Sequence, residues 1–95
     1  MKKIVIVEDE PFVALDLKSR LTSMGYEVVG TVTKGEDAVS LALESAPHCV
    51  LMDVQLKGDM DGIEAAGRIR EEMDVPIIFI TAYGDKKTIE KSTQI

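Results

Sequence analysis

Four short apolar runs, rich in β-branched residues, punctuate the chain: KIVIV at 3–7, EVVGTV at 27–32, HCVLM at 48–52 and IIFI at 77–80. β-Branched side chains fit the pleated surface of a sheet, and runs of this length bounded by turn-forming residues predict strands. The first, third and fourth are almost uninterrupted in apolar residues, the pattern of strands covered on both faces. The second contains Glu27 and Gly30 and predicts an edge strand.

Between the runs the apolar spacing lengthens to that of a helix. Pro11 suits an opening turn, Val13, Leu17, Leu21 and Met24 share a face, and Gly25 closes the segment. In the second gap Ala38, Leu41, Ala42 and Ser45 recur at helical spacing until Pro47. In the third, Asp61 and Glu64 form a capping-box pattern, Ile63, Ala66, Ile69 and Met73 form the stripe, and Pro76 ends it. The segment DKKTIEKSTQI after Gly84 has helix formers but only Ile89 as an interior apolar anchor, which predicts a loosely held helix. Strands alternating with helices imply an α/β fold, a parallel sheet with crossover helices. Met24, Met52 and Met73 are expected in its core. Without repeats or a linker, residues 1–95 are expected to form a single domain.

Composition narrows the function. The 95 residues are 45% hydrophobic but only 4% aromatic, with no Trp, so the core is aliphatic and there is no stacking platform for bases. A net charge of −6 argues against nucleic-acid and anionic-membrane surfaces, which require clustered Lys and Arg, and favours cations or basic partners. Cys49 is the only cysteine, which excludes an internal disulfide and a cysteine-rich metal site; it is expected to be a small buried hydrophobe. The N-terminal MKKIVIVEDE is too short in apolar residues for a signal-peptide core or a membrane span, and the expected location is cytoplasmic.

In open parallel sheets, ligands bind beyond the carboxyl ends of the strands. The first strand delivers Glu8, Asp9 and Glu10 there, the third delivers Asp53, and the fourth delivers Thr81 and Ala82. If the first and third are neighbours, Glu8, Asp9 and Asp53 converge, and their mutual repulsion must be relieved by protons or a cation. Hard oxygen ligands at this density suit Mg2+. An aspartate beside such a cation can act as a nucleophile toward phosphorus and form an acyl phosphate, with the Thr81 hydroxyl donating to a phosphoryl oxygen.

The motifs VEDEP after the first strand, VLMDVQL at the third and IIFITAYGD at the fourth resemble, in that order, the receiver domain of two-component response regulators. The resemblance covers essentially the whole chain. It implies a CheY-like, flavodoxin-like doubly wound parallel sheet of strand order 2-1-3-4, followed by a fifth strand and helix. It also implies Asp53 as phosphoacceptor, Asp9 as a direct Mg2+ ligand, Glu8 in the acidic pocket and the backbone carbonyl of Gln55 as a further ligand. Thr81 would be the switch hydroxyl and Ala82 a backbone donor, while Gln55 and Tyr83 occupy positions that tune acyl-phosphate lifetime. The implied partners are a sensor histidine kinase and a downstream output domain or protein. The fifth strand of the family carries a Lys and an aromatic residue that this chain lacks, since Lys86, Lys87 and Lys91 follow the fourth strand directly. The C-terminal unit is therefore expected to be missing. A chain ending at Ile95 would leave IIFI an unpaired edge, and dimerisation or aggregation through the fourth strand is the expectation that follows.

Other residues are expected to be structural: Asp61 a helix cap, Asp59 a solvated loop charge, His48 a residue remote from the crevice, and Gly58 and Gly62 sources of turn geometry. A flavin or nucleotide site is excluded because Glu8, Asp9 and Glu10 would repel its phosphates. A calcium-binding loop around GDMDG is excluded because aligning Gly62 with that motif's central glycine places Lys57 and Arg68 at ligand positions. An aspartate-nucleophile phosphatase would need a second acid where Gln55 stands. The alternative carried forward is a receiver-like protein-interaction module that works without phosphorylation.

Overall fold

The computed structural model describes residues 1–80, folded as β1 (Lys3–Val7), α1 (Pro11–Ser23), β2 (Glu27–Val32), α2 (Gly35–Ser45), β3 (Cys49–Asp53), α3 (Gly62–Glu72) and β4 (Ile77–Ile80). The strands are parallel in the order β2-β1-β3-β4, so β2 is an edge and β1 and β3 are neighbours, as the sequence implies. β3 begins one residue later than expected. His48 precedes it, donating its N–H to the Lys3 carbonyl at 2.9 Å and accepting the Lys3 N–H on Nδ1, also at 2.9 Å. The imidazole thus replaces a backbone acceptor where the ladder starts.

Side chains alternate across β1 and β3, and each face buries a separate cluster. On one face Val5, Val7, Val50 and Met52 pack with Ala38 and Ala42 of α2 and Ala65 and Ile69 of α3. The small alanines let both helices lie close to the sheet. On the other face Ile4, Ile6 and Leu51 meet Leu17 and Leu21 of α1, Tyr26 and Val28. Burial on both faces is why the first and third strand sequences show no polar alternation. β4 differs: Ile77 and Phe79 pack on the larger cluster, whereas Ile78 is 53% exposed, so among the described residues this strand is covered on one face only.

Met24 departs from its expected core position and is 68% exposed. The helix stops before its side chain can turn inward: Met24 is the C-cap, its N–H returning to Arg20 and Leu21, and Gly25 at φ +92° turns the chain into β2. Met52 is fully buried and Met73 packs against the larger cluster, as expected. Cys49 is half-buried against the smaller cluster, and burial pushes its thiol pKa up, away from reactivity. No helix among the described residues is long and apolar enough to cross a membrane.

Two α3 substitutions calibrate this packing. Ile69 is fully buried, so Ile69→Ala is expected to cost about 2–5 kcal/mol. Gly67 is mid-helix, exposed, and has open space where a Cβ would stand, so Gly67→Ala is expected to add about 0.5–1 kcal/mol. Urea midpoints of the two variants should move in opposite directions.

Candidate functional site: an acidic cluster at the carboxyl ends of β1 and β3

Glu8 follows β1 directly, and its N–H bonds the Val32 carbonyl at 3.0 Å, continuing the β1–β2 pairing one residue past the strand. Asp53 is the last residue of β3. The β1–β3 pairing therefore sets Glu8 and Asp53 side by side at the end of the sheet, 2% and 4% exposed, with Asp9 half-buried beside them. One carboxylate oxygen from each of Glu8, Asp9 and Asp53 lies within 4.8 Å of the others. That is the convergence expected from the sequence, and it can hold a cation.

Each buried carboxylate is partly satisfied by a backbone amide two residues on. The Glu10 N–H donates to Glu8 Oε1 at 3.1 Å, and the Gln55 N–H donates to Asp53 Oδ1 at 3.0 Å. Glu10, exposed, also begins α1: the Ala14 N–H donates to its carbonyl at 3.0 Å, and Pro11 follows at the first helical position. Burial pushes the Glu8 carboxyl up to about 7; the Glu10 amide opposes this, and the charges of Asp53 and Asp9 reinforce it. Asp53 is also raised, chiefly by burial and also by Asp9 and Glu10, against the Gln55 amide and a hydrogen bond from Glu8. Without a cation, burial and mutual repulsion therefore favour the protonated forms of both carboxyls.

The loop from β3 to α3 completes the site. Val54 and Leu56 are buried, Gln55 is exposed, and Gly58 at φ +104° makes the turn expected of it. Asp59 is exposed, also as expected. Asp61 caps α3 by accepting the Glu64 N–H on Oδ1 at 2.8 Å. The Glu64 carboxylate does not complete a reciprocal box; it faces Arg68 at 3.5 Å. Gly62 departs from its expected role, because its φ is not positive and turn geometry does not require a glycine there. A Cβ on Gly62 would collide with the Asp53 carbonyl oxygen, so the requirement is close approach of α3 to β3. The sequence signal for this was a glycine at the first helical position, where proline or acidic residues are ordinarily favoured. His48 is exposed at the opposite end of β3. Thr81, Ala82 and Tyr83 lie outside the described residues.

A parallel sheet of this order, with acids gathered at the ends of its two central strands, is the architecture of a signalling receiver domain. Residues 4–95 match the family model for the response regulator receiver domain, and the chain belongs to that family. It is 38% identical over 85 residues to the phyllosphere-induced regulator PhyR of Methylorubrum extorquens, covering 88% of this chain and 32% of that protein. It is 36% identical over 91 residues to the transcriptional regulatory protein PdtaR of Mycobacterium tuberculosis, covering 96% of this chain and 44% of that one. Among solved structures, the signal receiver domain of a modulated diguanylate cyclase from Desulfovibrio desulfuricans superposes with a TM-score of 0.85 at 37% identity, covering 99% of this chain and 75% of that one. The chain thus spans less than half the length of these two curated relatives.

The raised Glu8 carboxyl carries a pH dependence with a definite sign. Its folded value near 7 lies above the ordinary 4.5, so the folded state binds this proton more tightly than the unfolded chain does. The resulting stabilisation is fully present below 4.5 and is lost as pH rises through 7. In chelator, the free energy of unfolding is expected to be higher at pH 5.5 than at pH 8 by about 2 kcal/mol. Glu8→Gln, neutral at both values, should flatten the difference in paired urea titrations.

Proposed function

We propose that this chain is the phosphoacceptor receiver of a two-component response regulator, taking a phosphoryl group from a sensor histidine kinase onto Asp53 and relaying it by conformational switching. The observation that carries this reading is the Asp53 carboxylate itself, 4% exposed at the end of β3, with a ligand oxygen within 4.8 Å of those of Glu8 and Asp9. Burial of an acid among acids is costly unless a cation uses it. In this reading Mg2+ is held by Asp9, Asp53 and the Gln55 backbone carbonyl, with Glu8 in the same pocket. A cation held there would offset the repulsion between the attacking carboxylate and the incoming phosphoryl oxygens. One Asp53 oxygen forms the new bond to phosphorus as the bond from phosphorus to the donor breaks, and the donor leaves with the electron pair. Thr81 and Ala82 then donate to phosphoryl oxygens, and attack by water later returns the free carboxylate. The domain acts by self-phosphorylation and slow autodephosphorylation and turns over no other substrate.

The partners in this reading are a sensor histidine kinase and a downstream output domain or protein, and this domain works in the cytoplasm. In this reading the domain makes no direct contact with nucleic acid, in keeping with its net charge of −6. Residues 1–95 act as a single domain in it.

Incubation with Mg2+ and acetyl phosphate is expected to add one phosphoryl-sized mass to the protein, and Asp53→Asn should abolish the gain. Asp9→Asn should weaken Mg2+ binding by at least about tenfold. Mg2+ affinity should also fall as pH drops below 7, because Glu8 must release its proton for the cation to bind. Absence of the mass gain in the wild type would favour the interaction module that works without phosphorylation.

A further inference from the structure

Gly62 is buried and stands at the first position of α3, immediately after the Asp61 cap. An ideal Cβ there would run into the Asp53 carbonyl oxygen and would stand 2.9 Å from the Asp53 carbonyl carbon and 3.0 Å from Val54 Cα. These are backbone atoms of the strand end that carries the central carboxylate, and they cannot swing aside as a side chain can. The Gly62 N–H also donates to the Val54 carbonyl at 2.9 Å. The first turn of α3 is therefore seated directly on the backbone of Asp53 and Val54, and the next peptide supplies the Gln55 N–H that holds Asp53 Oδ1 at 3.0 Å.

The other described glycines are different. A Cβ on Gly30 would meet the end of the Leu41 side chain at 2.8 Å, and one on Gly67 would meet nothing within 4 Å. One on Gly35 would press on Met60 farther along the loop, at 2.9 Å from Cγ and 3.0 Å from the carbonyl oxygen. Among them, Gly62 alone abuts Asp53.

We propose that Gly62 is a positioning residue: its missing side chain lets α3 clamp the backbone of Asp53 and Val54, fixing where the Asp53 carboxylate and the Gln55 backbone stand toward metal and phosphoryl group. This role presupposes that Asp53 is the phosphoacceptor. Displacements of about 1 Å in reacting groups can cost on the order of a hundredfold in rate, so a shift of this backbone is felt in the chemistry as well as in the fold.

The test compares Gly62→Ala, the double variant Gly62→Ala/Gly67→Ala, in which the second change restores helix stability, and Gly30→Ala as a distant control. Each is measured for urea midpoint, Mg2+ affinity, rate of acetyl-phosphate labelling and the Gln55 amide resonance in metal-free protein. The expected result is that Gly62→Ala weakens Mg2+ binding by at least about tenfold, slows labelling and moves the Gln55 amide. The double variant should regain stability without regaining affinity, and Gly30→Ala, whose methyl meets only the end of the Leu41 side chain, should leave affinity unchanged. Affinity within about twofold of wild type in folded Gly62→Ala, or affinity that recovers together with stability in the double variant, would overturn the role. If the wild type takes up neither metal nor phosphoryl group, the phosphoacceptor reading fails. The Gln55 amide still decides the clamp in that case: movement in Gly62→Ala supports it and an unmoved resonance rejects it.

Discussion

A carboxylate removed from water must recover its lost hydration from its neighbours, and at the end of this sheet Glu8 and Asp53 face that requirement side by side. Two backbone amides answer part of it, those of Glu10 and Gln55, each placed two residues beyond the acid it serves. What remains is a proton or a cation. Much of the surrounding structure can be understood as a means of keeping this unfavourable arrangement in place: pairing of β1 with β3 brings the acids together, and two apolar clusters hold those strands from either face.

The cost is borne mainly by the side of the sheet that carries α2 and α3. There the contacts are made by alanines and by the fully buried Ile69, and α3 is brought so close that only a glycine fits above Asp53. The opposite side is looser. α1 buries no residue fully, Phe12 is 85% exposed, and Leu15 is 65% exposed. The acidic site is thus anchored from the α3 side, while α1 begins beside it through the Glu10 carbonyl and leaves with most of its surface in water.

Elements with strong local signals were legible in the sequence. β1, β2 and β4 fall where their apolar runs predict, and the convergence of Glu8, Asp9 and Asp53 follows once β1 and β3 are neighbours. The departures arise where tertiary geometry overrides periodicity. Met24 continues the α1 stripe on paper, but the chain has already left the helix at that residue. The start of β3 shifts because an imidazole replaces a backbone acceptor, a bond that no propensity scale contains. Gly62 reads as turn chemistry in one dimension and becomes a steric requirement only when a helix and a strand end are brought together in three.

The same geometry ties the chemical state of this carboxylate to the packing around it. Asp53 touches three structural elements at once: its backbone closes β3 against the end of β4, its carbonyl lies under the first turn of α3, and its side chain stands beside the Glu8 carboxylate beyond β1. A surface carboxylate could gain or lose charge with little effect, because water would screen the change. Here, exchanging the proton for a cation, or bonding a bulkier anionic group to a carboxylate oxygen, would alter the forces on β1, β3 and α3 together, with little solvent to absorb the difference. A site that is unfavourable when metal-free and neutralised by what it binds is coupled to the fold through that difference, and the coupling is strongest where the backbone has least room to yield, at the contact between Gly62 and Asp53.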